Sequence, residues 1–261
     1  MPEGHVLVTV DAKGVATITL NRPEKHNAFD DAVIAHLTRE LRTLGDDENV
    51  RVVVLAARGP SFCAGADLQW MKRTAEFSES ENLQDASAMA ELLQILYTLP
   101  KPTVALIQGP AYAGGVGLIC ACDIAIAARS ARFSITEVRL GLIPSVISPF
   151  LINAIGESYA RRYVLTGERI SSAEAERIGL VHEVVPDEAL AVRGETFAKM
   201  LLKGGPESLR EAKTLIKAVH GREVDSAMLV DLAKRIARVR VSDEAQEGMG
   251  AFLEKRKPRW I

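Results

Sequence analysis

Two short stretches bring small residues to the end of an apolar, β-branched run. Ser61-Phe62-Cys63-Ala64-Gly65-Ala66-Asp67-Leu68 follows Val52-Val53-Val54-Leu55-Ala56, and Gly109-Pro110-Ala111-Tyr112-Ala113-Gly114-Gly115-Val116-Gly117-Leu118 follows Thr103-Val104-Ala105-Leu106-Ile107. Small residues in a turn let a ligand approach the backbone closely. Two such turns can aim two free N–H groups at one carbonyl oxygen, so that charge developing there in a reaction meets donors already in place. Each turn alone reads as a tight packing point; both together, each after a strand, point to chemistry.

The elements that must position these turns alternate strand and helix through the first half. Val6–Val10 and Val15–Leu20 are β-rich and joined by Asp11-Ala12-Lys13-Gly14, a hairpin-type connection. Asp30 can cap a helix that carries Val33, Leu37, Leu41 and Leu44 on one face. The continuous apolar run 52–56 predicts a strand covered on both faces. A helix over 81–99 places Leu83, Ala86, Ala90, Leu93 and Leu96 at helical spacing, and Pro100 and Pro102 end it. After the Thr103–Ile107 strand, the glycine turn and a short helix, strands follow at 123–127 and 131–134. The units recur without a fixed sequence period, which excludes a simple solenoid.

From Ser148 the character changes. Ser148-Pro149 reads as N-cap and first helical position, with helices at 149–155 and 158–165. Ser172 opens another helix that stops at Gly179. A short strand at 181–185 precedes helical patterns at 188–202, 207–219, 225–240 and 243–255. The layout is an α/β core over residues 1–195 followed by a C-terminal helical region over 196–261, whose apolar faces need a core or a neighbouring subunit to pack on.

The chain has 261 residues, enough for one large domain or one with a smaller appendage. A net charge of −2 gives no reason to expect a nucleic-acid partner. The basic run Lys255-Arg256-Lys257-Pro258-Arg259 reads as a solvated tail or a local binding patch. No apolar run approaches the ~20 residues needed to span a bilayer. Met1-Pro2-Glu3-Gly4-His5 shows no basic region before an apolar core, so no secretory signal is expected. Cys63, Cys120 and Cys122 are odd in number, and Cys120-Ala121-Cys122 is too close for an easy bridge. They read as buried small residues in a reducing, cytoplasmic setting, with no histidine spaced for zinc.

Along nearly its whole length the chain resembles the crotonase (enoyl-CoA hydratase/isomerase) superfamily. The matching residues are Leu20-Asn21-Arg22-Pro23-Glu24-Lys25-His26-Asn27-Ala28, the two turns, Ala121-Cys122-Asp123-Ile124, Phe133-Ser134-Ile135-Thr136-Glu137-Val138-Arg139-Leu140-Gly141, Leu165-Thr166-Gly167 and Phe252-Leu253-Glu254-Lys255-Arg256. The resemblance implies an α/β spiral of ββα units with a C-terminal helical trimerisation region, and self-association as a trimer or hexamer. It implies an acyl-CoA substrate, no metal and no separate cofactor, coenzyme A being part of the substrate. The N–H groups of Ala66 and Gly114 would form the oxyanion hole, and Glu137 would be the acid/base. Hydratases of this family commonly carry a second glutamate three residues after the oxyanion glycine; here that position is Gly117.

The run Glu137-Val138-Arg139-Leu140-Gly141-Leu142-Ile143-Pro144-Ser145-Val146-Ile147-Ser148-Pro149-Phe150 is similar to the bacterial 3-methylglutaconyl-CoA hydratases, as are Gly115-Val116-Gly117-Leu118 and Asp67-Leu68-Gln69-Trp70-Met71. The implied reaction is reversible syn hydration of 3-methylglutaconyl-CoA to 3-hydroxy-3-methylglutaryl-CoA in leucine breakdown; the missing acid at Gly117 suggests in addition that the substrate's distal carboxylate helps to orient the water. That carboxylate needs a cation, and Lys72, Arg73 and Arg139 are candidates, arginine offering a bidentate fork. By the same resemblance Arg22, Lys25 and Ala28 lie along coenzyme A, Ala64, Asp67 and Leu68 near its pantetheine and adenine, and Phe252 and Lys255 reach in from the tail. A single glutamate also suits a Δ3,Δ2-enoyl-CoA isomerase or a glutaconyl-thioester decarboxylase. A non-catalytic acyl-CoA-binding protein would keep the hole without turnover.

Overall fold

In the computed structural model, which describes residues 4–261, the chain opens with a hairpin. Met1, Pro2 and Glu3, on which part of the leader reading rests, lie outside the described residues. Strand β1 (Val6–Val10) pairs antiparallel with β2 (Val15–Leu20), and Gly14 turns the hairpin at a φ of 81°. Asp30 accepts the Val33 N–H at 2.9 Å and starts α1 (Asp31–Asp46), whose Val33, Leu37, Leu41 and Leu44 are buried, as their spacing predicts. Strand β3 (Val52–Ala57) leads through the first turn to α2 (Leu68–Thr74) and then α3 (Glu79–Thr98).

Strand β4 (Thr103–Ile107), the short β5 (Ala111–Tyr112) and α4 (Gly114–Ala121) make the next coil. Strands β6 (Ile124–Ala128) and β7 (Arg132–Ser134) lead to α5 (Ser148–Thr166), then β8 (Ile170–Ser171), α6 (Ser172–Arg177) and β9 (Glu183–Val185). The chain ends in α7 (Leu190–Leu201), α8 (Pro206–Val219), α9 (Ser226–Arg240) and α10 (Asp243–Leu253).

The long sheet has the order β1-β2-β3-β4-β6-β9, and a second has β5-β7-β8. Isolated bridges Phe29↔Ala66 and Cys63↔Ala111 extend that second stack to the earlier coils. Each coil therefore contributes one strand to the long sheet and one short extended piece beside it. Coil lengths differ, which is why the spiral leaves no sequence period. Both faces of β3 are covered, as its unbroken apolar run requires. Val53 and Leu55 join the cluster under α1 and α3, while Val52 and Val54 join Val104, Ile126, Leu190 and Ala198 on the α7 side.

Two expectations change. In α3 the buried residues are Met89, Leu92, Leu93 and Leu96; Leu83 is 68% exposed, because the first turns of the helix run out past the body they would pack on. The two helices expected at 149–155 and 158–165 are both present in α5, which breaks at Gly156 with φ 73° and ψ 163°; what changes is the cap, where Ile147 rather than Ser148 stands. Helix α7 packs on β3, β4 and β6, and α8 follows it. No helix among the described residues is long and apolar enough to cross a membrane.

Candidate active site

The two turns lie on consecutive coils and are tied main chain to main chain. Phe62 and Cys63 N–H donate to the Pro110 carbonyl at 3.0 and 3.2 Å, and Tyr112 N–H donates to the Cys63 carbonyl at 2.9 Å. Gly115 is needed for this approach: a Cβ there would meet Cys63 Cβ and its carbonyl oxygen at 2.8 Å. Gly65 adopts φ 89°, and a Cβ on it would sit 3.3 Å from Ala113 Cβ.

Phe29 N–H donates to the Gly65 carbonyl, and Asp67 N–H to the Phe29 carbonyl, both at 2.7 Å. In that parallel bridge the groups of the intervening Ala66 point the other way. Gly114, the other expected donor, stands at the first position of α4, where an N–H has no carbonyl behind it. Val116 and Gly117 N–H return to the Ala113 carbonyl at 2.9 and 3.2 Å. Among the described residues neither the Ala66 nor the Gly114 N–H has a backbone partner. Ala113 itself holds φ 48° and ψ −118°, a conformation that costs alanine roughly 1–3 kcal/mol. Its N–H donates to the Ser134 carbonyl at 3.0 Å, which fixes the strained turn to β7.

Glu137 follows three residues after that Ser134 carbonyl, in a single 3-10 turn, Glu137–Leu140. Ser134 is anchored in turn, its Oγ donating to the Gly167 carbonyl at 2.8 Å. The Ala113–Ser134 bond thus ties the start of α4 to the strand that leads into Glu137. Its Oε2 is buried without a protein partner. Burial raises its pKa above the ordinary glutamate value, against the lowering effect of backbone N–H groups at Glu137 and Thr136. A carboxyl held this way exchanges a proton more readily near neutrality than an exposed one. Gly117, one helical turn beyond Gly114, supplies no second acid.

The expected coenzyme A residues divide. Arg22 is buried and spent inside the protein: it donates to the Ala28 carbonyl at 3.0 Å and pairs with Asp30 at 2.8 Å and Asp67 at 3.2 Å. Asp67 is also buried; it caps α2 by accepting Gln69 N–H at 2.8 Å, and pairs with Lys25 at 2.8 Å. The Lys25 bond, with help from the cap, holds its pKa down to about 2 against the opposing effect of burial. Lys25 and Leu68 are exposed beside the first turn, Ala64 N–H donates to the His26 carbonyl, and Ala28 is buried.

Phe252 and Lys255 are exposed on the far side of the same protomer. Their helix packs its Gly248 against Trp260, whose carbonyl bonds Arg51 just before β3, whereas the first turn lies beyond the other end of that strand. The tail therefore does not meet its own chain's turns. Its basic run is folded back, with Arg256 and Arg259 both on Glu247. Of the candidate cations, Arg73 is paired with Asp31 at 2.6 Å and Arg139 lies against Gly167. Lys72 is exposed next to Arg73 and has no ion pair among the described residues.

Asn27 escaped the sequence reading. Its buried side chain accepts Arg22 N–H at 2.8 Å and donates to the Arg58 and Ser61 carbonyls at 2.8 Å, riveting the 22–28 loop to the first turn. Asn27 holds a left-handed φ of 55°, a conformation asparagine tolerates better than most residues. The cysteines are free, and burial pushes the Cys63 and Cys122 thiols up to about 12, which suits packing rather than nucleophilic attack. Two open clefts of about 580 Å³ lie elsewhere, and neither is lined by Ala66, Gly114 or Glu137.

The sequence pattern of the family described as Enoyl-CoA hydratase/isomerase matches residues 11–261. A relative from Thermus thermophilus is 38% identical over 255 residues, covering 97% of this chain and 100% of its own. The crystal structure of an enoyl-CoA hydratase from Shewanella pealeana is 41% identical, with a TM-score of 0.96 over 98% of this chain and 96% of that one. Pseudomonas aeruginosa AtuE is 36% identical, with a TM-score of 0.94 over 98% and 99%.

Proposed function

The chain belongs to the enoyl-CoA hydratase/isomerase family and is an enzyme of hydratase type, and from that premise we propose that it reversibly hydrates 3-methylglutaconyl-CoA to 3-hydroxy-3-methylglutaryl-CoA. The observation that supports the reading is a half-buried carboxyl, Glu137, whose Oε2 has no partner, in a chain where the Ala66 and Gly114 N–H groups have no backbone partner among the described residues. The thioester oxygen accepts from Ala66 and Gly114, with the positive end of α4 behind it. As negative charge builds on that oxygen, the donors strengthen; each is worth about 3–4 kcal/mol in such a transition state.

Glu137 accepts a proton from water as the water oxygen bonds to the β-carbon, and the thioester becomes an enolate. Glu137 then gives that proton to the α-carbon on the same face, completing net syn addition. Without an acid at Gly117, the substrate's distal carboxylate holds the water, and Lys72 is the cation best free to receive that carboxylate. Lys25, Ala28, Ala64 and Leu68 border coenzyme A, while Arg22 and Asp67 hold the turn that carries it. Phe252 and Lys255 serve the site of a neighbouring subunit in a trimer or hexamer. The similarity of the 137–150 run to bacterial 3-methylglutaconyl-CoA hydratases supports the choice of acyl group.

Incubation with 3-hydroxy-3-methylglutaryl-CoA, followed by absorbance of the conjugated enoyl thioester and product mass, tests the proposal. Loss of water is the expected result. Loss of carbon dioxide assigns a decarboxylase; turnover of a β,γ-enoyl thioester without mass change, and none of the hydroxyacyl substrate, assigns an isomerase.

A further inference from the structure

Ser134 closes β7, is 2% exposed, and is attached on two sides. Its carbonyl accepts the Ala113 N–H at 3.0 Å, within the parallel pairing of β5 and β7 that sets Tyr112 opposite Ser134. Its Oγ donates to the Gly167 carbonyl at 2.8 Å and reaches the Glu168 carbonyl at 3.2 Å. Gly167 ends α5 in the left-handed region, with φ 59° and its N–H on the Tyr163 carbonyl at 3.0 Å. That turn is itself held, because Arg162 grips the Glu168 carboxylate through Nε at 2.9 Å and Nη2 at 3.3 Å. The same turn meets the chain again just beyond Glu137. A Cβ built on Gly167 would stand 2.9 Å from Arg139 Nε and 3.4 Å from its Cδ and Cγ. Ser134 before Glu137 and Arg139 after it therefore both rest on Gly167.

On its other side Ser134 holds Ala113, the residue at φ 48° and ψ −118° that precedes Gly114. Such a conformation persists only where its surroundings over-determine it. The Ser134 carbonyl is one of those constraints, and the Ser134 hydroxyl fixes where that carbonyl sits. We infer that Ser134 is a positioning residue: it seats the turn that carries the Gly114 N–H and the segment that carries Glu137 on one anchor, the Gly167 turn after α5. This rests on the placement of the thioester oxygen on Gly114 proposed above. Loss of the hydroxyl should let the strained turn relax, so that the Gly114 N–H polarises the thioester carbonyl less. Affinity for coenzyme A thioesters, which the buried Ser134 does not touch, should stay near wild type. The effect belongs on kcat, as for an interaction that strengthens only in the transition state.

The test sets Ser134→Ala against a matched control, Ser172→Ala. Ser172 is 3% exposed, and its Oγ also donates to a main-chain carbonyl, that of Arg129, at 2.7 Å. Both variants should lose a few degrees of thermal midpoint, since each strands a buried carbonyl. Only Ser134→Ala should lower kcat for 3-methylglutaconyl-CoA, by about ten-fold, with the Kd for unreactive butyryl-CoA within about two-fold of wild type. Infrared difference spectra of butyryl-CoA labelled with ¹³C at the thioester carbonyl read the donors directly, whichever acyl group the enzyme hydrates. The stretch should fall in frequency on binding to wild type and to Ser172→Ala, and fall less in Ser134→Ala. Ser134→Cys keeps the shape and a weak donor, so it should lie between in both readouts, and it decides the matter if the alanine variant does not fold. A wild-type stretch and kcat in a folded Ser134 variant, or an equal loss in Ser172→Ala, would overturn the inference. Failure of the wild type to bind butyryl-CoA or to lower its carbonyl stretch would instead remove the thioester placement on which it stands.

Discussion

Replacing Asp67 by Asn probes the scaffold under the first donor turn, because it removes a buried charge but keeps an oxygen able to cap α2. The wild-type carboxylate is held at about 2 rather than 3.8, chiefly by the bond from Lys25, which corresponds to about 2.4 kcal/mol of stability at neutral pH. Lys25 is 45% exposed, and solvent screening reduces the expected loss to about 1–2 kcal/mol. The sign follows from a depressed folded-state value. The contribution is complete above the unfolded carboxylate range near 4 and disappears as pH falls through about 2. Unfolding midpoints at fixed protein concentration should therefore show wild type ahead of Asp67→Asn at pH 7, by a margin that narrows between about pH 4 and 2. Turnover should fall too, since Ala66 precedes this anchor and small misplacements of a donor are costly. A margin independent of pH, or no margin at pH 7, would refute the reasoning.

Other outcomes follow from the same geometry. The acid limb of kcat/KM should lie above the ordinary glutamate range, because burial raises Glu137. Its raised value also contributes stability at low pH that is lost as pH rises through the folded-state value, so Glu137→Gln should match or exceed wild-type stability at pH 8 in thermal melts. Gly115→Ala should destabilise by about 1–3 kcal/mol and slow turnover, since its Cβ would wedge the two turns apart; melting and steady-state assays read both. Lys72→Met should raise KM for the diacid thioester by roughly ten-fold, the loss of one charge-assisted bond, and leave a monoacid thioester unaffected, whereas Arg73→Met, already paired with Asp31, should act on both alike.

The sequence made the long sheet, the hairpin and most helix ends legible, because apolar runs, Asp30 and the glycine stops act locally. It also exposed both small-residue turns, since the small residues that permit close approach are themselves the signal. What stayed hidden depends on distant partners. Arg22 resembles a phosphate contact until Asp30 and Asp67 close around it. The need for a glycine at Gly117 waits on Ile147, which only the fold packs against it. The buried face of α3 shifted toward Met89 and Leu92 because periodicity cannot tell where the neighbouring body ends.

In the proposed reaction Glu137 is the one carboxyl that adds water to the enoyl thioester, with the Ala66 and Gly114 N–H groups on its oxygen. Incubating 3-methylglutaconyl-CoA in ¹⁸O-labelled water with wild type and Glu137→Gln, and weighing the product, tests it most directly. The wild type is expected to give a hydrated product carrying the label, and the variant, still binding the thioester, a rate at least about 100-fold lower. Labelled product at an undiminished rate from Glu137→Gln, or a wild-type product that has lost carbon dioxide or gained no water, would contradict it.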